Sequence, residues 1–311
     1  MAKEKAIIRS DISRFRWTLL EMKKNWVGYL MVMPFFLLFF IFTVVPVVLS
    51  IMLSFTTFNM LELPQFVQMD NYIRLILDDD IFLIAIKNTM IFAAITGPGS
   101  YLLSLFFAWF INELRPKIRA IVTLFFYAPS ISGNIYLIFT ILFNGDQYGI
   151  VNAYAMKFGF ISKPILFFAD KNWIPTLVIV VALWTSLGSS FLMFIAGFQG
   201  INQELYEAGA VDGVRNRWQE LWFITLPTMR PQLMLGAILA ITQSFGFGAV
   251  ITALAGFPSP DYCAHTIMHH LEDYGGTRFE MGYASAIATI LFFMMIGANL
   301  LVNKVLRKVG S

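Results

Sequence analysis

Cysteine and charge are both scarce in this chain of 311 residues. Cys263 is the single cysteine, so an intrachain disulfide is excluded and a cysteine-based zinc site is not expected. Charged residues make up 13% of the sequence, against about 25% in a typical soluble protein. Hydrophobic residues make up 58%, with 32 Phe and 16 Met. This balance predicts a membrane protein.

Motifs of nucleotide hydrolysis and covalent catalysis are missing as well. The sequence contains neither a Walker A phosphate loop nor a Gly-x-Ser-x-Gly motif. We therefore expect that the chain is not an enzyme, does not itself hydrolyse ATP and carries no cofactor. The first 26 residues are polar and basic rather than a short apolar segment, so a cleaved signal peptide is not expected.

Six stretches are long and apolar enough to cross a bilayer, which needs about 20 apolar residues of helix. These stretches are 26–55, 88–111, 118–143, 174–198, 231–257 and 281–306. The predicted fold is an all-α polytopic membrane protein, with a cytoplasmic tail at 1–26 and one membrane domain at 27–311.

The basic residues predict which side each loop faces. With the N-terminus in the cytoplasm, 16 of the 22 Lys and Arg residues lie inside and six lie outside. The acidic residues divide into eight inside and 11 outside. Both termini are therefore expected in the cytoplasm, and the net basic charge is explained by topology without a nucleic-acid partner.

The largest inner loop, residues 200–230, predicts two short helices joined by a sharp turn. Asn202 is a candidate N-cap for the first helix, and Asp212-Gly213 is a turn signal. Asn216 begins the second helix, with Gln219 in capping-box position, and Pro227 is expected to end it. Helices of about ten residues are too short to be stable alone in water. Their apolar faces must be buried, either on the chain's own spans or on another protein.

Glu207-Ala208-Gly209, Gly213 and then Ile224-Thr225-Leu226-Pro227 resemble the "EAA" motif of ABC importer permeases. The chain departs from that motif twice. Gly209 stands in place of the second alanine, and ten residues rather than about nine separate Gly213 from Ile224. The second helix is therefore expected to sit slightly shifted in its socket.

The resemblance implies that this helix pair docks in a groove on an ATP-binding subunit and carries its closure to the spans. The implied coupling positions are Glu207, Ala208, Gly209, Asp212, Gly213, Ile224, Leu226 and Pro227. The implied partners are two ATP-binding subunits that hold ATP and magnesium, a second homologous permease in a heterodimer, and an extracellular solute-binding protein. The implied location is the bacterial inner membrane, with lipid around the spans.

Further patterns are similar to the carbohydrate branch of this family, the sugar permeases of the maltose type. They are Pro34 with Phe42-Thr43, Pro46 and Ser54-Phe55; Met69-Asp70-Asn71-Tyr72 with Asn88-Thr89; and Gly282-Tyr283-Ala284-Ser285-Ala286. The resemblance therefore covers nearly the whole chain and implies import of a sugar or oligosaccharide by alternating access.

Polar residues interrupt three of the spans near their middles. The third span is expected to break at Pro129-Ser130, while Gly97-Pro98-Gly99 predicts a kink in the second. Polar groups at this depth are tolerated only against protein or a water-filled cavity. The predicted sugar-binding residues, which offer hydroxyl, amide and aromatic groups, are Tyr127, Asn134, Trp184, Ser186, Ser189, Gln243, Ser244 and Phe247. Helix packing is the competing explanation for each serine.

Two clusters in the outer loops invite other interpretations. Asp78-Asp79-Asp80 is expected to be a solvated group at a helix end rather than a cation site. His265, His269 and His270 contain an i, i+4 pair that can bind metal, but contact with an extracellular binding protein is the preferred interpretation. The metal-site prediction is therefore none.

Two alternative functions remain open at this point. A stand-alone secondary transporter usually carries an ionisable residue within a span, and none of the predicted spans shows one in its core. A permease of the same type for glycerol phosphate or peptides is the nearer alternative. An anionic substrate would favour a basic residue near mid-depth, which is also lacking.

Overall fold

The computed structural model of this chain describes residues 14–132 and 136–306, and the fold there is almost entirely helical. The helices are α1 Arg14–Lys24, α2 Trp26–Phe39, α3 Val45–Leu53, α4 Asp70–Leu77, α5 Asp80–Asn112, α6 Pro116–Ile131, α7 Tyr136–Leu142, α8 Ile150–Lys157, α9 Ile174–Thr185, α10 Ser189–Gln199, α11 Gln203–Val211, α12 Arg217–Glu220, α13 Leu226–Thr228, α14 Arg230–Ser244, α15 Gly248–Ala255, α16 Ile267–Glu272 and α17 Met281–Leu306. A 3₁₀ turn spans Pro260–Tyr262, and π-helical turns span Phe40–Val44, Leu221–Thr225 and Asp273–Thr277.

Two short strands, β1 Thr56–Thr57 and β2 Gln65–Phe66, form an antiparallel hairpin in which Thr56 faces Phe66. The hairpin follows the first span and precedes α4. Asn71 fixes this junction, because its side-chain amide donates to the carbonyl oxygens of Ser54 at 2.8 Å and Thr56 at 3.0 Å.

The spans agree with the predicted all-α polytopic fold. Four helical segments are each long and apolar enough to cross a membrane: Trp26–Leu53, Asp80–Asn112, Ile174–Gln199 and Met281–Val305. The number rises to six when each of two strongly bent helix pairs counts as one span. The apolar part of the first span is not buried within the chain, so its hydrophobic side chains face outward.

Helix α5 runs through the centre of the bundle and is longer than predicted. It begins at Asp80 rather than near residue 88 and continues without interruption for 33 residues, through Pro98. The predicted kink does not break the helix. Glycines on either side of Pro98 instead let neighbouring helices approach, since a β-carbon on Gly97 would meet Ser244 Oγ at 3.3 Å and one on Gly99 would meet Leu183 Cδ2 at 2.9 Å.

The buried core forms three clusters along α5. One contains Phe82 and Ile287, the next contains Phe92, Val181 and Ile251, and the third contains Ala108 and Phe194. The third cluster lies at the end of the bundle that carries residues 200–230, which we call the loop end. The first lies at the opposite end, which we call the far end.

Three spans are interrupted within the bundle. Helix α6 continues through Pro129 and ends at Ile131, and α7 is bent by 90° relative to α6. The third span is therefore interrupted as predicted, but after Ile131 rather than at Pro129-Ser130. A proline in a helix removes one backbone bond without always ending the helix. Helices α9 and α10 are separated at 186–188, and helices α14 and α15 at 245–247.

Candidate functional site

The loop at 200–230 folds as the predicted pair of short helices, which we call the loop pair (α11, α12, the π-turn Leu221–Thr225 and α13). Asn202 caps the first helix, because its side-chain oxygen accepts the backbone N–H of Glu204 at 3.2 Å. Satisfying one of the free N–H groups at a helix start in this way typically contributes about 1 kcal/mol. The predicted N-cap is confirmed.

Gly213 ends helix α11 and turns the chain. Its φ of 95° lies in the left-handed region that favours glycine. The Val214 N–H donates to the Gly209 carbonyl at 2.9 Å, and the Gly213 N–H donates to the Ala210 carbonyl at 3.3 Å. This pair of bonds is the Schellman arrangement, which satisfies carbonyls that the helix end would leave free.

The second helix begins at the predicted N-cap, Asn216, whose side-chain oxygen accepts the Gln219 N–H at 2.9 Å. Gln219 reaches back one residue further than a capping box requires, and accepts the Arg215 N–H at 2.8 Å. The helix continues through Pro227 to Thr228, one residue past the predicted end, and then bends by 82° into α14.

A π-turn at Leu221–Thr225 divides this second helix. The Leu226 N–H donates to the Leu221 carbonyl, five residues back rather than four. Such a turn holds one extra residue in a helix. It therefore gives room for the additional residue between Gly213 and Ile224 without interrupting the helical path.

Ile224 and Gly209 form the contact between the two helices. Gly209 is buried, and a β-carbon at that position would meet Ile224 Cδ1 at 2.5 Å. An alanine at this position would therefore force the end of the Ile224 side chain to move. Tyr206 adds a polar link, since its hydroxyl lies 3.0 Å from Thr225 Oγ1.

One face of the loop pair packs on the chain and the other is open. Leu221 is buried with Phe198 and Met229 in the loop-end cluster. Val211 is 89% exposed and Phe223 is 70% exposed. Of the predicted coupling positions, those exposed are Glu207, Ala208, Asp212, Gly213 and Pro227, whereas Ile224 and Leu226 are half-buried. Their coupling role stays a prediction.

Two contacts join the loop pair to the loop end of α5. Arg217 Nη2 lies 3.1 Å from Glu113 Oε2, while its Nη1 lies 2.7 Å from Glu220 Oε2. The indole rings of Trp109 and Trp218 are 4.9 Å apart between centroids. Glu113 and Trp109 are remote in sequence from the loop, and no local pattern singled them out.

The breaks in the two interrupted spans α9/α10 and α14/α15 lie side by side. On the loop-end side, the Ser190 hydroxyl donates to the Gly236 carbonyl at 3.3 Å. On the far-end side, Val181 packs with Val250 and Ile251 in one buried cluster. The segments 186–188 and 245–247 therefore both lie between these two contacts, in the middle part of the bundle, where each interrupts the backbone bonding of its own span.

The predicted sugar-binding residues occupy different surroundings at this depth. Trp184 is 41% exposed, with its ring 6.3 Å from Phe126. Ser189 is exposed, and Tyr127, Gln243 and Phe247 are half-buried.

Two of the serines predicted to bind sugar are buried, and their hydroxyls donate hydrogen bonds to carbonyls of their own helices. Ser186 donates to the Leu183 carbonyl and Ser244 to the Ile241 carbonyl, each at 2.7 Å. These contacts are typical of helix packing, as the competing explanation proposed. Asn134 lies outside the described residues. The substrate role of all eight positions stays a prediction.

Within the acidic cluster at the start of α5, Asp78 and Asp80 are exposed as expected, but Asp79 is buried, which corrects the expectation for that residue. Its side chain is 9% exposed, and it caps α5 by accepting the Phe82 N–H at 2.9 Å. Its other oxygen lies 3.0 Å from His270 Nε2 and accepts the hydroxyls of Tyr283 at 2.8 Å and Tyr274 at 3.4 Å. These four residues form the far-end hub, which fastens α5 to α16, the following π-turn and α17.

The three histidines are also buried, so they do not present a surface to a binding protein. His265 Nε2 lies 3.4 Å from His270 Nδ1, and His269 Nδ1 lies 2.8 Å from Thr266 Oγ1. Burial, reinforced at His265 by the neighbouring histidines, lowers the pKa of His265 and His269 to about 4. Within residues 14–132 and 136–306, no group of three or more His, Cys, Asp or Glu side chains could hold a metal ion.

The pKa of Asp79 is set by opposing effects. Burial raises it, but the backbone N–H of Phe82, the Tyr283 hydroxyl and His270 together lower it below the ordinary value. The carboxylate is therefore ionised at neutral pH and can accept all three side-chain donors of the hub.

Comparisons with known proteins place this architecture in context. A family model described as "Binding-protein-dependent transport system inner membrane component" matches residues 100–310. The chain is 32% identical over 249 residues to "Inner membrane ABC transporter permease protein YcjO" of Escherichia coli (strain K12), covering 77% of this chain and 79% of that protein. It is 29% identical over 295 residues to "Probable ABC transporter permease protein YesP" of Bacillus subtilis (strain 168), covering 93% of this chain and 92% of that protein.

A solved structure shares the fold. It is described as "Crystal structure of a bacterial ABC transporter involved in the import of the acidic polysaccharide alginate", and it matches with a TM-score of 0.75 at 24% identity. The match covers 94% of this chain and 99% of that chain.

Proposed function

We propose that this chain, which belongs to the family of binding-protein-dependent transport system inner membrane components, passes a sugar or oligosaccharide through a site between its broken helices. The observation that carries the proposal is that two adjacent spans are both interrupted in the middle part of the bundle, at 186–188 and 245–247. Interrupted helices at mid-depth are a recurring way to place polar groups around a substrate in a membrane.

The side chains near these breaks suit an uncharged polyhydroxylated substrate. Trp184 offers an aromatic face, Gln243 an amide and Ser189 a hydroxyl. Aromatic rings pack on the apolar faces of sugar rings, and amides and hydroxyls can bond to the sugar hydroxyls. Relatives named for lactose transport in Rhizobium radiobacter, at 28% identity, and for arabinooligosaccharide transport in Bacillus subtilis, at 27%, support the sugar assignment.

The open face of the loop pair is proposed to dock on an ATP-binding subunit. Two such subunits would hold ATP and magnesium, and a second homologous permease would complete the membrane pathway. The exposed Glu207, Ala208 and Phe223 would lie in the docking groove.

A solute-binding protein would deliver substrate at the far end. A second matching structure, at 23% identity, is described as an alginate ABC transporter in complex with an "alginate pentasaccharide-bound periplasmic protein". In the proposed topology both termini and the loop pair lie in the cytoplasm, as the excess of basic residues in the predicted inner loops favours.

The proposed mechanism is alternating access. Closure of the ATP-binding subunits would move the loop pair, and the spans would reorient around the mid-depth site. Breaks in two adjacent spans give the halves of each span freedom to change direction at that depth.

Reconstitution tests the assignment directly. The chain would be co-expressed with candidate permease, ATP-binding and solute-binding partners and placed in liposomes. We expect ATP hydrolysis that requires this chain and rises with one sugar-loaded binding protein. Stimulation only by a loaded peptide- or glycerol phosphate-binding protein would contradict the sugar assignment.

A matched pair of variants tests the mid-depth site. Gln243→Leu should weaken sugar-dependent transport, raising the KM about tenfold through loss of a polar contact. Thr242→Val is the control, because Thr242 is exposed on the same helix and its hydroxyl donates to its own helix at the Ile238 carbonyl, 2.8 Å away. Equal KM values in the two variants would remove Gln243 from the proposed site.

A further inference from the structure

Helix α5 touches the loop pair, both helix breaks and the far-end hub. It crosses the bundle in 33 continuous residues, a length of about 50 Å at the α-helical rise. These contacts lie at the loop end of α5, at its middle and at its far end.

The loop-end contact is both electrostatic and aromatic. Glu113 directly follows α5 and pairs with Arg217 at 3.1 Å, while Trp109 packs on Trp218. Arg217 also pairs with Glu220 of its own helix at 2.7 Å, through its other terminal nitrogen. A displacement of the second loop helix would therefore act on the end of α5.

The middle contact places α5 against both breaks. Gly97 packs on Ser244, the last residue before the break at 245–247. Gly99 packs on Leu183, one helical turn before the break at 186–188. Both contacts are close, since a β-carbon on either glycine would press on a side chain of the neighbouring helix, so a shift of α5 would act on these helix ends.

The far-end contact is the hub. Asp79 caps α5 and accepts the hydroxyl of Tyr283, the third residue of α17. The same carboxylate contacts His270 of α16. The start of α5 is thereby tied to the loop at the far end of the bundle.

The two spans that pack on the middle of α5 are themselves divided. Helices α9 and α10 are separated at 186–188, and helices α14 and α15 at 245–247. A divided span can hinge, whereas an unbroken helix carries an axial or tilting movement along its length. Helix α5 is suited to carry movement past the site, and the divided spans are suited to respond to it.

We propose that α5 transmits movement of the loop pair to the helix breaks and to the far-end hub, with Glu113 and Arg217 as the positioning residues at its loop end. The proposal rests on the proposed docking of an ATP-binding subunit on the loop pair. Beyond that docking, α5 is the helix that carries the movement, and Glu113 and Arg217 are the side chains through which the loop pair acts on it.

Hydrogen–deuterium exchange on the reconstituted transporter tests the proposal at the end remote from the substitutions. Exchange would be measured in peptides covering residues 267–283, with and without a non-hydrolysable ATP analogue. The variants are Glu113→Gln, Arg217→Gln and the double variant. Glu220→Gln is the matched control, since it removes the other partner of Arg217 and leaves the link to α5 intact.

We expect nucleotide to change exchange at 267–283 in the wild type and in Glu220→Gln. Each of the other single variants should reduce that change about two- to fivefold, the range for loss of an exposed ion pair. The double variant should reduce it no further, because both substitutions remove one interaction. Unfolding temperatures equal to the wild type would show that the variants are folded.

A wild-type-sized nucleotide response in Glu113→Gln would overturn the role of α5, and so would an equal loss of response in Glu220→Gln. If the partner ATPase instead showed the same sugar-stimulated ATP hydrolysis without this chain, the proposed function would be overturned, and this proposal with it.

Discussion

Ile224 packs directly on Gly209 at the place where the two helices of the loop pair meet. A β-carbon at position 209 would lie 2.5 Å from Ile224 Cδ1. The π-turn at Leu221–Thr225 contains Ile224 and sets its position over Gly209. The two departures from the resembled motif, the glycine and the additional residue, therefore meet at one contact.

Gly209→Ala should disturb this contact and weaken coupling. The added methyl group forces Ile224 aside, at a cost of about 1–3 kcal/mol for overpacking. Ile224→Val removes the atom that would collide, so the double variant Gly209→Ala/Ile224→Val should recover sugar-stimulated ATP hydrolysis. The measurement is that activity in liposomes, with Ile224→Val alone as the control. A double variant no better than Gly209→Ala would argue against this packing.

Gly213→Pro should abolish coupling while leaving the spans inserted. Proline requires a φ near −65°, whereas Gly213 has a φ of 95°. Proline also removes the N–H that donates to the Ala210 carbonyl at 3.3 Å. Gly213→Asn is the matched control, because asparagine tolerates the left-handed region better than other non-glycine residues. Wild-type transport by the proline variant would contradict the assigned turn.

Gly282→Ala should strongly destabilise the protein. Its N–H donates to the Phe58 carbonyl at 3.0 Å, and a β-carbon would overlap the carbonyl oxygen of Thr56. Because backbone rather than a flexible side chain blocks the site, we expect a loss of about 3 kcal/mol or more. Gly297→Ala is the matched control, because Gly297 lies on the same helix and an added β-carbon there would have no neighbouring atom within 4 Å. Thermal unfolding in detergent should separate the two variants; a similar unfolding temperature for both would contradict this packing.

Stability should fall as the pH is lowered from about 6.5 to about 4. His265 and His269 titrate near 6.5 when exposed, and the fold lowers their pKa to about 4. Between these values the unfolded chain takes up protons that the folded chain does not, so acid favours unfolding. The stabilisation that these two neutral histidines contribute is complete above pH 6.5 and is lost as the pH falls to about 4.

The unfolding temperature measured at pH 7.5, 6.5, 5.5 and 4.5 checks this expectation. His265→Gln should show a shallower decline than the wild type, because one of the buried imidazoles is gone. A wild-type unfolding temperature that stays constant down to pH 4.5 would show that the histidines are not held neutral.

Helix caps and turns were predicted correctly from the sequence, because they depend on residues close together in the chain. Asn202, Gly213 and Asn216 occupy the predicted cap and turn positions, because capping depends on residues two to five apart. The position of the break in the third span was predicted less well. Pro129 lies inside α6, which ends at Ile131, since neighbouring helices in a bundle can support a helix that lacks one backbone bond.

The buried polar contacts could not be read from the sequence. Asp79 and His270 are 191 positions apart, and each belongs to a cluster that local reasoning assigned to solvent or to a partner. Burial of a charge is favourable only where several donors converge on it. Whether they converge depends on how α5, α16 and α17 pack.

The sequence by itself determined the all-helical membrane architecture and the two-helix form of the loop, because hydrophobic length and capping act within a few turns of helix. The tertiary structure alone decided that the two interrupted spans lie side by side and that Ile224 packs on Gly209. It also decided that α5 meets the loop pair at Glu113 and the far-end hub at Asp79. Those relationships arise from side-chain packing between segments far apart in the chain, which no local pattern specifies.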